Sequence, residues 1–160
     1  MKKLVLTSIL ILSTVFMPGL SASDTDNNQF TFPLWKNLHK LNTEAIASGS
    51  HQAWVDIYVN EPAKKAYIQK WRLFPVGSIV VKPIYSDQER SETSKLTIMM
   101  KMEKGYDPDN ADWWYGVYDE SGIEGRYQGK IKSCIECHAR AKETDYMFSE
   151  SVMYTINEWD

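Results

Sequence analysis

Cysteine is scarce in this chain, which has only Cys134 and Cys137 among its 160 residues. Both lie in one short motif, so no thiol is left over for a disulfide to another part of the chain. Positive charge is not in excess, because 18 Lys and Arg stand against 21 Asp and Glu, a formal net charge of −3. This balance argues against a basic nucleic-acid-binding surface, and we expect no nucleic-acid partner.

Long apolar runs are absent except near the N-terminus, where residues 4–17 follow Lys2 and Lys3. The positive start, the apolar stretch and the break at Pro18 predict a signal peptide over residues 1–22. The stretch is shorter and more polar than a membrane-spanning helix, and no cysteine at its end marks a lipoprotein. We therefore expect export to the periplasm with no membrane attachment after cleavage. The alternative is an uncleaved membrane anchor.

The remaining chain has the length of one domain with one core. Residues 23–29 are polar and predict a disordered tether. Residues 30–160 are expected to form a single domain. Aromatic residues make up 12% of the sequence, and we expect some of them to line a cofactor pocket.

Residues 134–138 read Cys-Ile-Glu-Cys-His, the Cys-x-x-Cys-His signature of c-type haem attachment. Two thiols three positions apart on a helical turn can reach the two vinyl groups of one porphyrin and form thioethers. The adjacent His138 then lies under the iron as its proximal ligand. The motif therefore predicts one covalently bound haem c, held by Cys134 and Cys137, with His138 as the metal ligand.

Three other interpretations of the motif stay open. A zinc site needs two further ligands, and only His39 and His51 remain besides carboxylates. A thioredoxin-like Cys-x-x-Cys follows a strand in a βαβ pattern, which is not found here. The third is a local disulfide. Export favours haem, because c-type haem is attached outside the cytoplasm.

Hydrophobic periodicity predicts the secondary structure of the chain. Helices are expected over residues 32–47, 61–71 and 133–142, the last of them capped by Ser133. Strands are expected over residues 53–59, 78–82, 96–103 and 113–118, with an edge or bulge at Pro83. Residues 145–148 are expected to be extended. A late haem motif behind a strand-rich chain fits neither the small electron-transfer cytochromes c nor the helical-bundle cytochromes c′.

Three segments together resemble the cytochrome P-460 family, which includes cytochrome c′-beta. They are Ser-His at 50–51 with Val-Asp-Ile-Tyr-Val-Asn at 55–60, Phe-Pro-Val-Gly-Ser-Ile-Val-Val-Lys at 74–82, and the haem motif with Asp-Tyr-Met-Phe-Ser at 145–149. The resemblance covers roughly residues 48–150. It implies an α+β fold, a mostly antiparallel β-sheet flanked by helices with the c-type haem site on a C-terminal helix. It also implies five-coordinate iron and a homodimer.

The resemblance assigns roles to single residues. Cys134 and Cys137 match the thioether cysteines, and His138 matches the proximal ligand. Lys82 matches the lysine that is joined covalently to the porphyrin edge in true cytochromes P-460, a cross-link that gas-binding relatives lack. Pro83 follows it where other members often have Glu.

Further candidates complete the expected site. Hydroxylamine-oxidising members use a distal carboxylate as base, and the nearest candidates here are Glu124 and Glu136. Strand alternation places Lys82 on the face opposite Val81, where the family has its haem edge. The candidate pocket walls are Phe74, Tyr85 and Trp113. The methionines at 99, 100, 102, 147 and 153 are candidates for a sixth ligand or, as we prefer, for core filling.

Three functions follow from the resemblance and the motif. The first is a haem oxidoreductase that binds and oxidises hydroxylamine or a related small nitrogen species and passes electrons to a soluble redox partner. The second is a nitric oxide-binding protein without turnover, like cytochrome c′-beta. The third is an electron-transfer cytochrome c with a Met ligand. The absence of a secure distal base favours the second over the first.

Overall fold

The computed structural model describes residues 30–69, 73–148 and 152. The predicted signal peptide and tether lie outside these residues, as do Trp71 and Met153. No helix in the described ranges is both long and apolar enough to cross a membrane.

Eight strands in the described part of the chain form one antiparallel sheet. They are β1 (His39–Lys40), β2 (Ile46–Ser48), β3 (Ala53–Val55), β4 (Tyr58–Val59), β5 (Ile79–Tyr85), β6 (Thr93–Lys101), β7 (Trp113–Tyr118) and β8 (Gly125–Gly129). The neighbour order is β1-β4-β5-β6-β7-β8, and β3 pairs with both β2 and β5. With helices α1 (Glu61–Ile68) and α2 (Lys132–His138), this architecture confirms the predicted α+β fold and its mostly antiparallel sheet.

Both faces of the central strands β5, β6 and β7 are covered. Val80, Met99 and Tyr115 stand side by side across these strands and face a core that includes residues of α1 and contacts α2. Val81 and Ile98 face a second core of aromatic and aliphatic side chains. The sheet therefore has one face toward the Cys-x-x-Cys-His motif and one face away from it.

The predicted strand over residues 53–59 is split into β3 and β4 at Asp56, whose carboxylate is fully buried. Both short strands pair with β5, one at each end of it. Pro83 lies opposite the gap between them, where β5 has no partner on that side. Its missing N–H therefore costs no ladder hydrogen bond, and β5 continues through it. The register shift falls between Ile84 and Tyr85, just beyond the predicted position.

The helix predicted over residues 32–47 is wrong. The segment forms a short 3₁₀ helix, Trp35–Asn37, followed by β1 and β2. Trp35 Nε1 donates to the backbone oxygen of Glu120 at 3.1 Å. The Asn42 side chain binds the Asp56 carboxylate at 2.9 Å. Contacts to distant parts of the chain thus override the local helical spacing.

Other elements follow the prediction to different degrees. β7 has the predicted bounds, and α1 begins as predicted, with the Asn60 side chain accepting from the Ala63 N–H at 3.3 Å. The helix that carries the motif ends at His138, and a 3₁₀ helix, Ala139–Thr144, follows it. The motif helix begins without a side-chain cap, so the predicted capping by Ser133 is wrong. Residues 145–148 are not extended, and strands β1, β2 and β8 were not predicted.

Candidate haem site

The Cys-x-x-Cys-His motif forms the last five of the seven residues of α2. Cys134, Cys137 and His138 stand three and four positions apart, so helical geometry turns all three toward one side. All three are half-buried, and both thiols are free. The motif therefore presents two thiols and an imidazole to the same space, as its spacing predicts.

That space is a cavity of about 310 Å³ between α2 and the sheet. The lining residues are Ser48, Ser50, His51, Val80, Lys82, Thr97, Ile98, Met99, Tyr115, Gly116, Ser133, Cys134, Cys137, His138 and Phe148. Strands β5, β6 and β7 supply its apolar floor, while serines, a histidine and a lysine supply polar groups. Such a mixture is typical of small-molecule and cofactor sites.

His138 has one ring nitrogen engaged and one available. Its Nδ1 lies 2.6 Å from the backbone oxygen of Tyr146, and the carbonyl can only accept, so Nδ1 carries the proton. Burial, together with the positive charge of Lys82, outweighs the opposing effect of the hydrogen bond to Tyr146 and lowers the pKa of His138 to about 4. The imidazole is therefore neutral at pH 7, with the Nε2 lone pair available to a metal. The hydrogen bond at Nδ1 is the support that metal-binding histidines ordinarily have.

Lys82 projects from β5 on the motif side of the sheet, as the strand alternation predicts. It lines the cavity together with Val80, whereas Val81 belongs to the opposite core. Part of the residue is accessible, but its amine is buried, and this burial lowers the pKa of Lys82 to about 8. A fraction of the amines is therefore neutral and nucleophilic near neutral pH.

A second cavity of about 540 Å³ adjoins the first and shares Ser48, Ser50, Lys82 and Phe148 with it. Its other lining residues are Ile46, Ala47, Gly49, Val55, Ile57, Arg140 and Val152. The described linings of the two cavities contain cations and hydroxyl groups but no carboxylate. The space next to the motif therefore suits a large group that carries negative charge at one edge.

The predicted carboxylate bases lie elsewhere. Glu124 is exposed, and the Glu136 side chain is 65% exposed and lies 3.7 Å from the Lys132 amine. Neither lines the two cavities. Glu136 instead lines a third cavity, of about 710 Å³, together with Cys134, and the role of either carboxylate as distal base stays a prediction.

The predicted wall residues also need correction. Phe74, Tyr85 and Trp113 are buried but line neither cavity. Phe74 and Trp113 pack in the core behind the site, and the hydroxyl of Tyr85 donates to Asp56 at 3.1 Å. The aromatic walls are instead Tyr115 and Phe148, whose rings lie 5.4 Å and 5.3 Å from the His138 ring.

Sequence reasoning missed His51 as a cavity residue. It lies in the turn after β2, remains exposed to solvent and lines the cavity that contains His138. Two signals were available, the scarcity of histidine, of which the chain has only three, and the Ser-His pair at 50–51 in the family resemblance. Met99 also lines this cavity, whereas Met147 is fully buried in the core.

The residues at this site fit a haem. The motif offers two free thiols and one available imidazole nitrogen, the donor set of a c-type haem. The hydroxyl of Tyr115 is buried beside the cavity without a hydrogen-bond partner in the described part of the chain, as expected where a bound group completes a site. Among the described residues, no three His, Cys, Asp or Glu side chains cluster closely enough to hold a metal ion. The zinc interpretation therefore has no ligand set there.

Comparison with models of protein families matches residues 33–149 to the family described as cytochrome P460. The matched segment contains all eight strands, both helices and the motif. No curated protein matches the chain.

Proposed function

Because the chain belongs to the cytochrome P460 family and is therefore a c-type haem protein, we propose that it binds hydroxylamine or nitric oxide at an open face of its haem iron. Cys134 and Cys137 hold one haem through thioether bonds, and His138 is the proximal ligand. The observation that carries this proposal is the hydrogen bond from His138 Nδ1 to Tyr146, which leaves Nε2 available beside both thiols. When bound, the haem supplies an iron that takes a small nitrogen ligand and exchanges single electrons.

The polar groups of the cavity make oxidation of hydroxylamine the first candidate function. His51 lines the cavity at its solvent-exposed edge, and the partial burial of its ring together with the charges of Lys82 and Lys95 lowers its pKa, so its imidazole is mostly neutral at pH 7. A neutral imidazole accepts a proton from a bound N–H or O–H group. Lys82 is partly neutral in the same space, as required for an amine that attacks a porphyrin edge.

Nitric oxide binding without turnover is the second candidate. The observation that favours it is the lack of any carboxylate in the described linings of the two cavities. Hydroxylamine releases protons on oxidation and needs a base, whereas nitric oxide binds without one. In this case Lys82 stays charged and its stem packs along the porphyrin.

The proposal also covers where the protein is located, how it assembles and which kind of partner accepts its electrons. We propose export to the periplasm, where haem c is attached, followed by assembly as a homodimer. The oxidative function also needs a soluble redox partner to accept the electrons. The predicted signal peptide supports export, and family membership supports the dimer.

Purified periplasmic protein distinguishes these functions. An optical spectrum reports the coordination of the iron, nitric oxide titration reports binding, and hydroxylamine with an artificial electron acceptor reports turnover. His51→Gln is compared with His39→Gln, which changes a histidine outside both cavities whose Nε2 lies 2.7 Å from Glu61. If His51 is the base, His51→Gln lowers turnover about 100-fold while His39→Gln leaves it unchanged.

Each result selects one function. Turnover that depends on His51 supports the oxidase. Nitric oxide binding without turnover supports the gas-binding protein. A low-spin resting spectrum from a Met ligand, for which Met99 is placed in the cavity, contradicts the open iron face and selects electron transfer.

A further inference from the structure

The chain adopts a strained turn directly after the 3₁₀ helix that follows the motif. Asp145 and Tyr146 both have left-handed backbone conformations, with φ of +53° and +66°. This region is uncommon for any residue except glycine, and a bulky residue such as Tyr rarely occupies it. Two such residues in succession persist only where the surrounding structure holds them.

The turn places the backbone oxygen of Tyr146 next to the motif histidine. Tyr146 N–H donates to the Ala141 oxygen at 2.8 Å, and the Tyr146 hydroxyl donates to the Asp109 oxygen at 3.2 Å. With its two ends fixed in this way, Tyr146 directs its carbonyl oxygen to His138 Nδ1 at 2.6 Å. An extended segment, as the sequence predicts here, would not direct this oxygen at the imidazole.

Donors from three separate parts of the chain bind Asp145 and so hold the turn in place. Its side chain is only 1% exposed, and the Lys101 amine donates to both of its oxygens at 2.7 Å and 2.8 Å. The Phe74 N–H donates to it at 2.8 Å. Trp113 Nε1 donates to the Asp145 backbone oxygen at 2.9 Å and lies 3.3 Å from the carboxylate. Lys101 also lies over the Trp113 ring, 4.8 Å from its centre.

Stability alone accounts poorly for this arrangement. A buried ion pair is weak support for a fold, because apolar residues of the same volume do as well or better. The same sheet has a second buried carboxylate, Asp56, which Lys40 and Arg90 neutralise. That group contacts no motif residue, whereas Asp145 adjoins the residue that binds His138.

We propose that Asp145, held by Lys101, is a positioning residue that fixes the Tyr146 carbonyl on His138 Nδ1 and so sets how strongly this imidazole donates to the haem iron. The inference rests on the proposed role of His138 as proximal ligand. A firmly held acceptor at Nδ1 raises the basicity of the ligating nitrogen, and loss of such partners changes metal-site properties 10- to 100-fold. Stronger donation stabilises ferric iron and lowers the reduction potential.

The test compares Asp145→Asn with Asp56→Asn in the haem-loaded protein. Both variants neutralise a buried carboxylate that is paired with a cationic side chain, so they serve as a matched pair. Asp145→Asn is expected to raise the ferrous-to-ferric ratio at fixed potential about tenfold, a shift of about 59 mV for one electron. It should also lower the iron–histidine stretching frequency in resonance Raman spectra of the ferrous protein. Asp56→Asn should leave both unchanged.

A second pair keeps the test decisive if Asp145→Asn does not fold. Lys101→Gln removes the cation and should shift the reduction potential in the same direction, and Lys101→Arg should restore it. Equal shifts in the Asp145 and Asp56 variants, or no shift in the Asp145 and Lys101 variants, would overturn the inference. Wild-type protein without an iron–His138 bond would overturn the proposed function first, so the two failures are distinguishable.

Discussion

The reactivity of Lys82 tests whether the cavity changes the chemistry of this side chain. Burial lowers the pKa of its amine from 10.5 to about 8. About one molecule in ten then has a neutral amine at pH 7, against about one in 3,000 for an ordinary lysine. The nucleophilic fraction is therefore about 300-fold larger than on the surface. This is the property that a cross-link to the porphyrin needs.

The assay is amine labelling from pH 6 to pH 10, followed by proteolysis and mass spectrometry, of the haem-free Cys134→Ala and Cys137→Ala double variant, to which the pKa of about 8 applies, and in parallel of the haem-loaded protein. The side chain of Lys132 is 88% exposed and serves as the internal comparison. Labelling of Lys82 is expected to reach half of its maximum near pH 8. A Lys82 already joined to the porphyrin is instead recovered, unlabelled, on the haem-containing peptide. Labelling of Lys82 only above pH 10 would refute the lowered pKa.

Three substitutions test other parts of the structure. Asp56→Asn is expected to lower the free energy of unfolding by about 3 kcal/mol at pH 7. Burial raises the pKa of Asp56, but hydrogen bonds from Arg90 and Lys40 outweigh this effect and keep the pKa below 3.8. The loss of stability is therefore full above about pH 4 and shrinks as the pH falls through the folded-state pKa. Urea unfolding at pH 7 and pH 3 measures this, and a pH-independent loss would contradict it. Tyr115→Phe removes a buried hydroxyl without a described partner in the chain, so in a haem-free Cys134→Ala and Cys137→Ala background thermal unfolding should show a change below about 1 kcal/mol; a loss above about 2 kcal/mol there would mean that the hydroxyl is bonded to the chain itself. Gly122→Ala should destabilise by about 1–3 kcal/mol, because φ is +74° and a Cβ would lie 2.5 Å from a backbone oxygen; unchanged urea unfolding would argue against this turn.

Local sequence patterns predicted the parts of the fold that local contacts determine. β7 contains four aromatic residues among six, and its bounds agree with the prediction. The helix expected over residues 32–47 failed because Trp35 and Asn42 bind Glu120 and Asp56, which lie outside this segment. β8 was missed because a strand that begins and ends with glycine has no hydrophobic alternation to detect.

The candidate site also contains residues that could be predicted from local sequence and residues that depend on distant contacts. The motif places Cys134, Cys137 and His138 together by helical spacing alone, and strand alternation places Lys82 on their side of the sheet. His51 joins the cavity through the pairing of β2 with β3 and of β3 with β5, which a single sequence does not reveal. The left-handed turn at Asp145 was equally hidden, because its cause is a carboxylate bound from three distant elements.

The central claim is that Cys134 and Cys137 hold one haem covalently beside His138. Intact mass spectrometry of the denatured periplasmic protein tests it most directly, because denaturation releases a haem that is not bonded to the chain. The account predicts the mass of the processed chain plus one haem, and the mass of the bare chain for a Cys134→Ala and Cys137→Ala double variant. A wild-type protein that has the mass of the bare chain would contradict it.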